Sequence, residues 1–199
     1  MKFTTLATSV LISGLAAADD VQSKPFKLVL DSTDGTINGK SISSCHSGAA
    51  IEALCIGDST NDAYQTYYLN TTEGSTSPVK GYGPSGKLVW NIPLQGTVES
   101  EAMQFFYEPY TNVAHPLFEP SYVSTDVAFG EKDNELAIFS YIDDTVSPPK
   151  IGEFKALKQW YACTTDFSGY RYQSLNWVVG KGKPQNPSCV KAEVKRVFM

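Results

Sequence analysis

Charge is scarce in this chain: Asp, Glu, Lys and Arg make up 19% of its 199 residues, with 16 basic against 21 acidic. A net charge of −5 with no basic cluster argues against a phosphate-backbone binder, which masses Lys and Arg on one face. Histidine occurs only at His46 and His115, and no Cys-x-x-Cys pair is present, so zinc would lack ligands at ordinary spacing. No metal and no cofactor is expected. No stretch reaches 18 uninterrupted apolar residues, so no helical membrane anchor is expected. A G-x-S-x-G nucleophile elbow is also missing. Disorder is not in question, because 42% of the residues are hydrophobic, among them 11 Tyr, 10 Phe and 3 Trp.

What is present begins with an address. Met1-Lys2 is a short positive start, Phe3 to Leu15 is apolar, and Ala16-Ala17-Ala18 supplies the small residues a signal peptidase selects. Residues 1–18 therefore read as a cleaved leader, and residues 19–199 as one exported domain, secreted or associated with a cell wall.

An oxidising compartment makes the four cysteines read as two disulfides. Three pairings are open. Cys45 and Cys55 lie close in sequence, and Cys163 and Cys189 fall on adjacent strand-like segments, so the expected pairs are Cys45–Cys55 and Cys163–Cys189. Asn70-Thr71-Thr72 is an N-glycosylation sequon, whereas Asn186-Pro187-Ser188 is excluded by its proline.

Along the domain the hydrophobic period is two. Strands are expected over Phe26–Leu30, Ala63–Asn70, Lys87–Ile92, Met103–Tyr107, Asp126–Phe129, Glu135–Ile142, Lys155–Cys163, Tyr170–Val179 and Val190–Lys195. The segment between Glu73 and Gly86 reads as a long exposed loop. A turn or two of helix is expected over Ser47–Leu54. Ten to twelve short strands broken by 11 Pro and 15 Gly predict an all-β antiparallel two-layer sandwich, with a β-trefoil as the alternative.

Candidate chemistry is thin. Gly81-Tyr82-Gly83-Pro84-Ser85-Gly86 has the letters of a dinucleotide loop but leads into a strand, so it reads as a hairpin loop. Asp143-Asp144 sits in a turn. Glu52, Glu101 and Glu108 have no spacing that joins them, and neither histidine has an evident catalytic partner. No catalytic residue is assigned. Aromatic rings are dense in the second half, and strand alternation turns half of them outward. Trp160, Tyr170, Tyr172 and Trp177 are accordingly the candidate glycan-stacking residues.

The segments Cys45-His46-Ser47-Gly48-Ala49-Ala50-Ile51-Glu52-Ala53-Leu54-Cys55, Trp160-Tyr161-Ala162-Cys163, Leu175-Asn176-Trp177-Val178 and Gly182 to Val190 resemble a family of small secreted fungal proteins, some labelled IgE-binding protein. The ending is also similar in layout to phialide-type fungal cell-wall proteins. These resemblances imply secretion and a wall association, and they bring no catalytic residues. The expected function is a non-catalytic extracellular protein with weak affinity for wall polysaccharide. The alternatives are a polysaccharide hydrolase using two carboxylates, and an allergen- or effector-like ligand of a host protein.

Overall fold

The computed structural model describes residues 20–94, 98–121 and 123–199, so the expected leader, residues 1–18, lies outside the described residues. The strands are β1 (Asp20–Gln22), β2 (Phe26–Asp31), β3 (Ile42–Gly48), β4 (Ile51–Ile56), β5 (Tyr67–Thr72), β6 (Gly86–Pro93), β7 (Val98–Phe106) and β8 (Val113–Glu119). They continue with β9 (Asp126–Phe129), β10 (Leu136–Asp143), β11 (Lys150–Leu157), β12 (Trp160–Phe167), β13 (Tyr170–Val178), β14 (Val190–Lys191) and β15 (Glu193–Phe198). The helical element among the described residues is a single 3-10 turn, Asp62–Gln65, started by the Asn61 side chain, which accepts from the Ala63 N–H at 3.0 Å.

Alternation explains most of these strands. In β2, Phe26, Leu28 and Leu30 are sealed while Lys27 and Val29 are half-covered. Two expectations fail locally. Ser47–Leu54 is no helix: it bends between β3 and β4, with Ala50 at φ 52° in the turn. Glu52, Ala53 and Leu54 are buried in succession in β4, which pairs with β3 on one edge and β8 on the other, and a strand buried on both faces loses the alternation that marks it. The first half of Ala63–Asn70 is taken by the 3-10 turn, and Lys155–Cys163 is split between β11 and β12.

The fold is all-β with every ladder antiparallel, as the period of two predicts, and its layers come from one sheet that curls over on itself. Six strands close a ring. β2 pairs β15 over Phe26–Asp31, β5 pairs β2 at Tyr67 and Phe26, and β5 pairs β6. β6 then pairs β9, and β9 pairs β10. The ring is completed where Glu135 bridges Lys195 and the Arg196 N–H donates to the Asn134 carbonyl at 3.1 Å. Three hairpins, β3–β4, β7–β8 and β12–β13, cover one end and pair with one another through Ala53 and Leu117, Trp177 and Ala114, and Ser174 and Cys55. The antiparallel curled sheet is consistent with the expected all-β sandwich. Its six-strand ring capped by three mutually paired hairpins also follows the pairing order of the β-trefoil alternative.

Large rings fill the space between ring and cap: Phe26, Tyr67, Trp90, Phe118, Phe129 and Trp160 are each at most 1% exposed. The buried indoles find acceptors, Trp160 Nε1 donating to the Leu136 carbonyl and Trp90 Nε1 to the Ala63 carbonyl, both at 2.9 Å. Gly86, the last glycine of the dinucleotide-like run, opens β6 where a Cβ would stand 2.3 Å from the Asn70 carbonyl oxygen. Its role there is close strand approach. Beyond the ring β10 runs on and returns as β11. The third unit, made of β10, the β12–β13 hairpin and β15, thus carries a two-stranded arm that the first (β2–β5) and second (β6–β9) lack.

Candidate functional site

Both expected disulfides are present. Cys45–Cys55 joins β3 to β4 with a Cα separation of 5.8 Å, and Cys163–Cys189 ties the segment before β14 to β12 with one of 4.1 Å. Around the second, Val113, Val178, Tyr161 and the two cysteines form a small apolar cluster of their own.

The aromatic candidates divide. Trp160 is fully buried and Trp177 is 7% exposed, with their rings edge to face at 4.8 Å inside the core. A sugar cannot reach either face, so these two are removed from the stacking set. Their position explains this: they lie opposite each other where β12 and β13 pass between cap and ring. Tyr170 and Tyr172 sit further out on the same hairpin. The two-residue turn Ser168-Gly169, with φ of 50° and 85°, starts β13, and the spacing of two puts both tyrosines on one face.

Their rings are near-parallel at 14°, with centroids 6.1 Å apart. His46 of β3 meets Tyr170 edge-on at 5.2 Å, and Tyr172 Oη donates to the His46 carbonyl oxygen at 3.0 Å. Phe167, opposite Tyr170 across the hairpin, carries the row on to Phe106 at 5.1 Å and His115 at 5.5 Å. Phe106, Tyr107 and Tyr110 at the end of the β7–β8 hairpin are all exposed, Tyr110 by 79%. One face of the cap thus presents aromatic edges and faces drawn from all three hairpins. His46 joining Tyr170 had no sequence signal, since the two are brought together only by the cap.

Carboxylates converge beside this face, with Glu52 directly opposite His46 across the β3–β4 ladder. Glu52 on β4 and Glu101 on β7 are buried, at 6% and 2% exposure, one opposite Phe118 and the other opposite Trp90. Each has a sealed Oε2 without a donor. Two ionised carboxylates cannot bond each other, but one proton between them makes the pair a donor and an acceptor. Burial raises Glu101 to about 8, and its hydrogen bond to Glu52 and the charges of Glu52 and Glu119 push the same way. Burial also raises Glu52, against a pull downward from Glu101 and His46. Burial and the neighbouring carboxyl together favour a proton held at this pair. Glu108 stands apart, near the Tyr110 hydroxyl.

His115 is buried beside Phe167, and burial lowers its pKa. Asp143 caps its own turn, accepting from the Thr145 hydroxyl, from Lys181 Nζ at 3.1 Å and from the Thr145 N–H at 3.1 Å, which together hold its carboxyl at about 2. Asn70 lies within β5 rather than in the loop that follows, half-buried, its Oδ1 accepting from Gln22 Nε2 at 3.0 Å. Among the described residues no group of three His, Cys, Asp or Glu side chains is placed to hold a metal.

Two hollows open to solvent. The larger, about 640 Å³, follows the arm between Ser140–Thr145, Lys150–Leu157 and the Gly180-Lys181 loop. The smaller, about 190 Å³, lies between Ser23, Thr71, Gly83 and Arg196. Neither is lined by Glu52 or Glu101.

The family described as a domain of unknown function (DUF7907) matches residues 23–198, and the chain belongs to it. Neither a curated protein nor a solved structure matches the chain.

Proposed function

We propose that this DUF7907 protein is an exported, non-catalytic binding module that holds wall or matrix polysaccharide on the aromatic face of its cap. The observation that carries the reading is the near-parallel Tyr170–Tyr172 pair on one strand face, flanked by His46 and continued by Phe167 and Phe106. Pyranose rings present C–H faces to aromatic rings, and their hydroxyls bond the polar rims that Tyr and His provide. The leader-like residues 1–18, two disulfides and the Asn70 sequon support an exported, glycosylated protein. The resemblance to small secreted fungal proteins supports a fungal wall as the source of the polysaccharide.

The test is co-sedimentation of the mature protein with insoluble chitin, β-glucan and mannan, with released sugar measured in the same tubes. Binding without release is expected. Tyr170→Ala with Tyr172→Ala should weaken binding about tenfold, the loss of two stacking contacts, while the fold is retained. Sugar release would establish the hydrolase alternative instead. Absence of both binding and release would leave a protein partner as the reading.

A further inference from the structure

The outer edge of β11 is uncovered. Among the described residues its backbone pairs with β10 alone, and Lys150 to Lys155 are exposed in sequence along it. Ile151 is 76% exposed and Phe154 42%, beside Tyr141 and Ile142 of β10 at 43% and 50%. The β10–β11 register shifts between the Ser140–Lys155 and Ile142–Ile151 pairs, so Gly152 to Phe154 bulge from the ladder. All eight residues nevertheless stay extended, and their outer edge is a template for another strand. Its two faces are distinct. Ile151, Glu153, Lys155 and Leu157 line the 640 Å³ cleft together with Lys150 and Gly152, whereas the Phe154 ring lies against Tyr141, centroids 4.7 Å apart.

We propose that the occupant of this edge is a second copy of the chain, with the two β11 strands antiparallel about a twofold axis at Phe154. The argument is self-complementarity. With Phe154 opposite its own counterpart, Glu153 faces Lys155 of the second copy and Lys155 faces Glu153, so two opposite-charge pairs form side by side. Ile151 then meets Leu157 on the cleft face, and Gly152 meets Ala156, leaving room for the two phenylalanines.

Neighbouring registers lose this match. A slip of two residues sets Glu153 against Glu153 in one direction and Lys155 against Lys155 in the other. A slip of one sets Glu153 against Phe154 and turns the two clefts to opposite sides. Lysine on an edge ordinarily discourages pairing. Here the one register that satisfies the apolar residues is also the one that neutralises Lys155. The result is a closed, isologous dimer whose central sheet reads β10–β11–β11–β10, with both clefts on one face.

The experiment is sedimentation velocity on the mature wild-type protein over a concentration series, with Glu153→Lys, Lys155→Glu and the double reversal alongside. The wild type is expected to form a reversible dimer. Each single reversal replaces two attractive cross-strand pairs with two repulsive ones and should weaken the dimer about tenfold or more. The double reversal should restore it, and mixing the two single variants should yield heterodimers, since each supplies the sign the other lacks. Both positions are exposed on the arm, so unchanged thermal unfolding serves as the folding control. A wild type monomeric at every concentration would overturn the proposal, as would a dimer indifferent to the reversals. Capture of an unrelated extended peptide by a monomer would overturn it too, and would assign the edge to a foreign strand.

Discussion

Glu101 holds its proton because the folded chain withdraws it from water and sets it against a second carboxyl, and both causes vanish on unfolding. A carboxyl raised in this way stabilises the folded state fully below its unfolded pKa of about 4.5, and the contribution declines as pH rises toward about 8. The other shifted groups either start from the alkaline Tyr, Lys and Arg ranges or act in acid. Asp143 and Asp34 are lowered and matter only in acid, and His115, lowered by burial, matters below about 6.5. The window from pH 6.5 to 8 therefore isolates the Glu52–Glu101 pair. Over it the wild type is expected to lose about 1–2 kcal/mol, a fall in Tm of about 2–6 °C. Glu101→Gln keeps a donor toward Glu52 and carries no proton to lose, so its thermal melts should be flat across the same window. A wild type equally flat would mean that the pair does not share a proton.

Among the elements, the Cys163–Cys189 bridge has the larger task. It closes a loop of about 27 residues, worth about 3–4 kcal/mol by chain entropy, and it anchors β14 to Tyr161 and Ala162. The Cys45–Cys55 bridge closes a shorter loop inside a hairpin whose ladder already fixes its geometry. Cys163→Ala with Cys189→Ala should lower Tm by about 10 °C and raise amide exchange through residues 180–191, as mass spectrometry would read it. The paired alanines at Cys45 and Cys55 should cost less and leave that segment protected. This bridge was legible in sequence because an oxidising address and two strand-like flanks were enough. Strand alternation was equally legible in β2 and in β5, whose buried residues recur at every second position. It failed at β4 and at the inner end of β13, where five consecutive residues are buried because cap and ring cover both sides. The same double coverage hid Trp160 and Trp177, so the tyrosines of the outer end stayed available while the tryptophans did not. Glu52 and Glu101 were invisible as a pair because they belong to different hairpins, joined only through β8.

At the scale of the whole molecule, ring, cap and arm separate what holds the fold from what the surface offers. The ring closes without the arm: β10 contributes Leu136 and Ala137 to its pairing with β9, and its ladder with β11 begins at Ile138, opposite Leu157. Ser140 and Lys155 are directly opposite each other at its base. Replacing residues 141–154 with Asn-Gly, the turn that two antiparallel strands accept most readily, should therefore yield a folded protein. Its Tm is expected within about 4 °C of the wild type, because the removed side chains are mostly exposed and the large buried rings all remain. Polysaccharide binding should survive, since Tyr170, Tyr172 and His46 lie on the cap. Self-association should vanish, since the pairing edge is gone. An armless chain that fails to fold would show that the third unit needs its extension to close the ring. A folded one that still dimerised would move the interface to another surface with large rings in solvent, such as the cap.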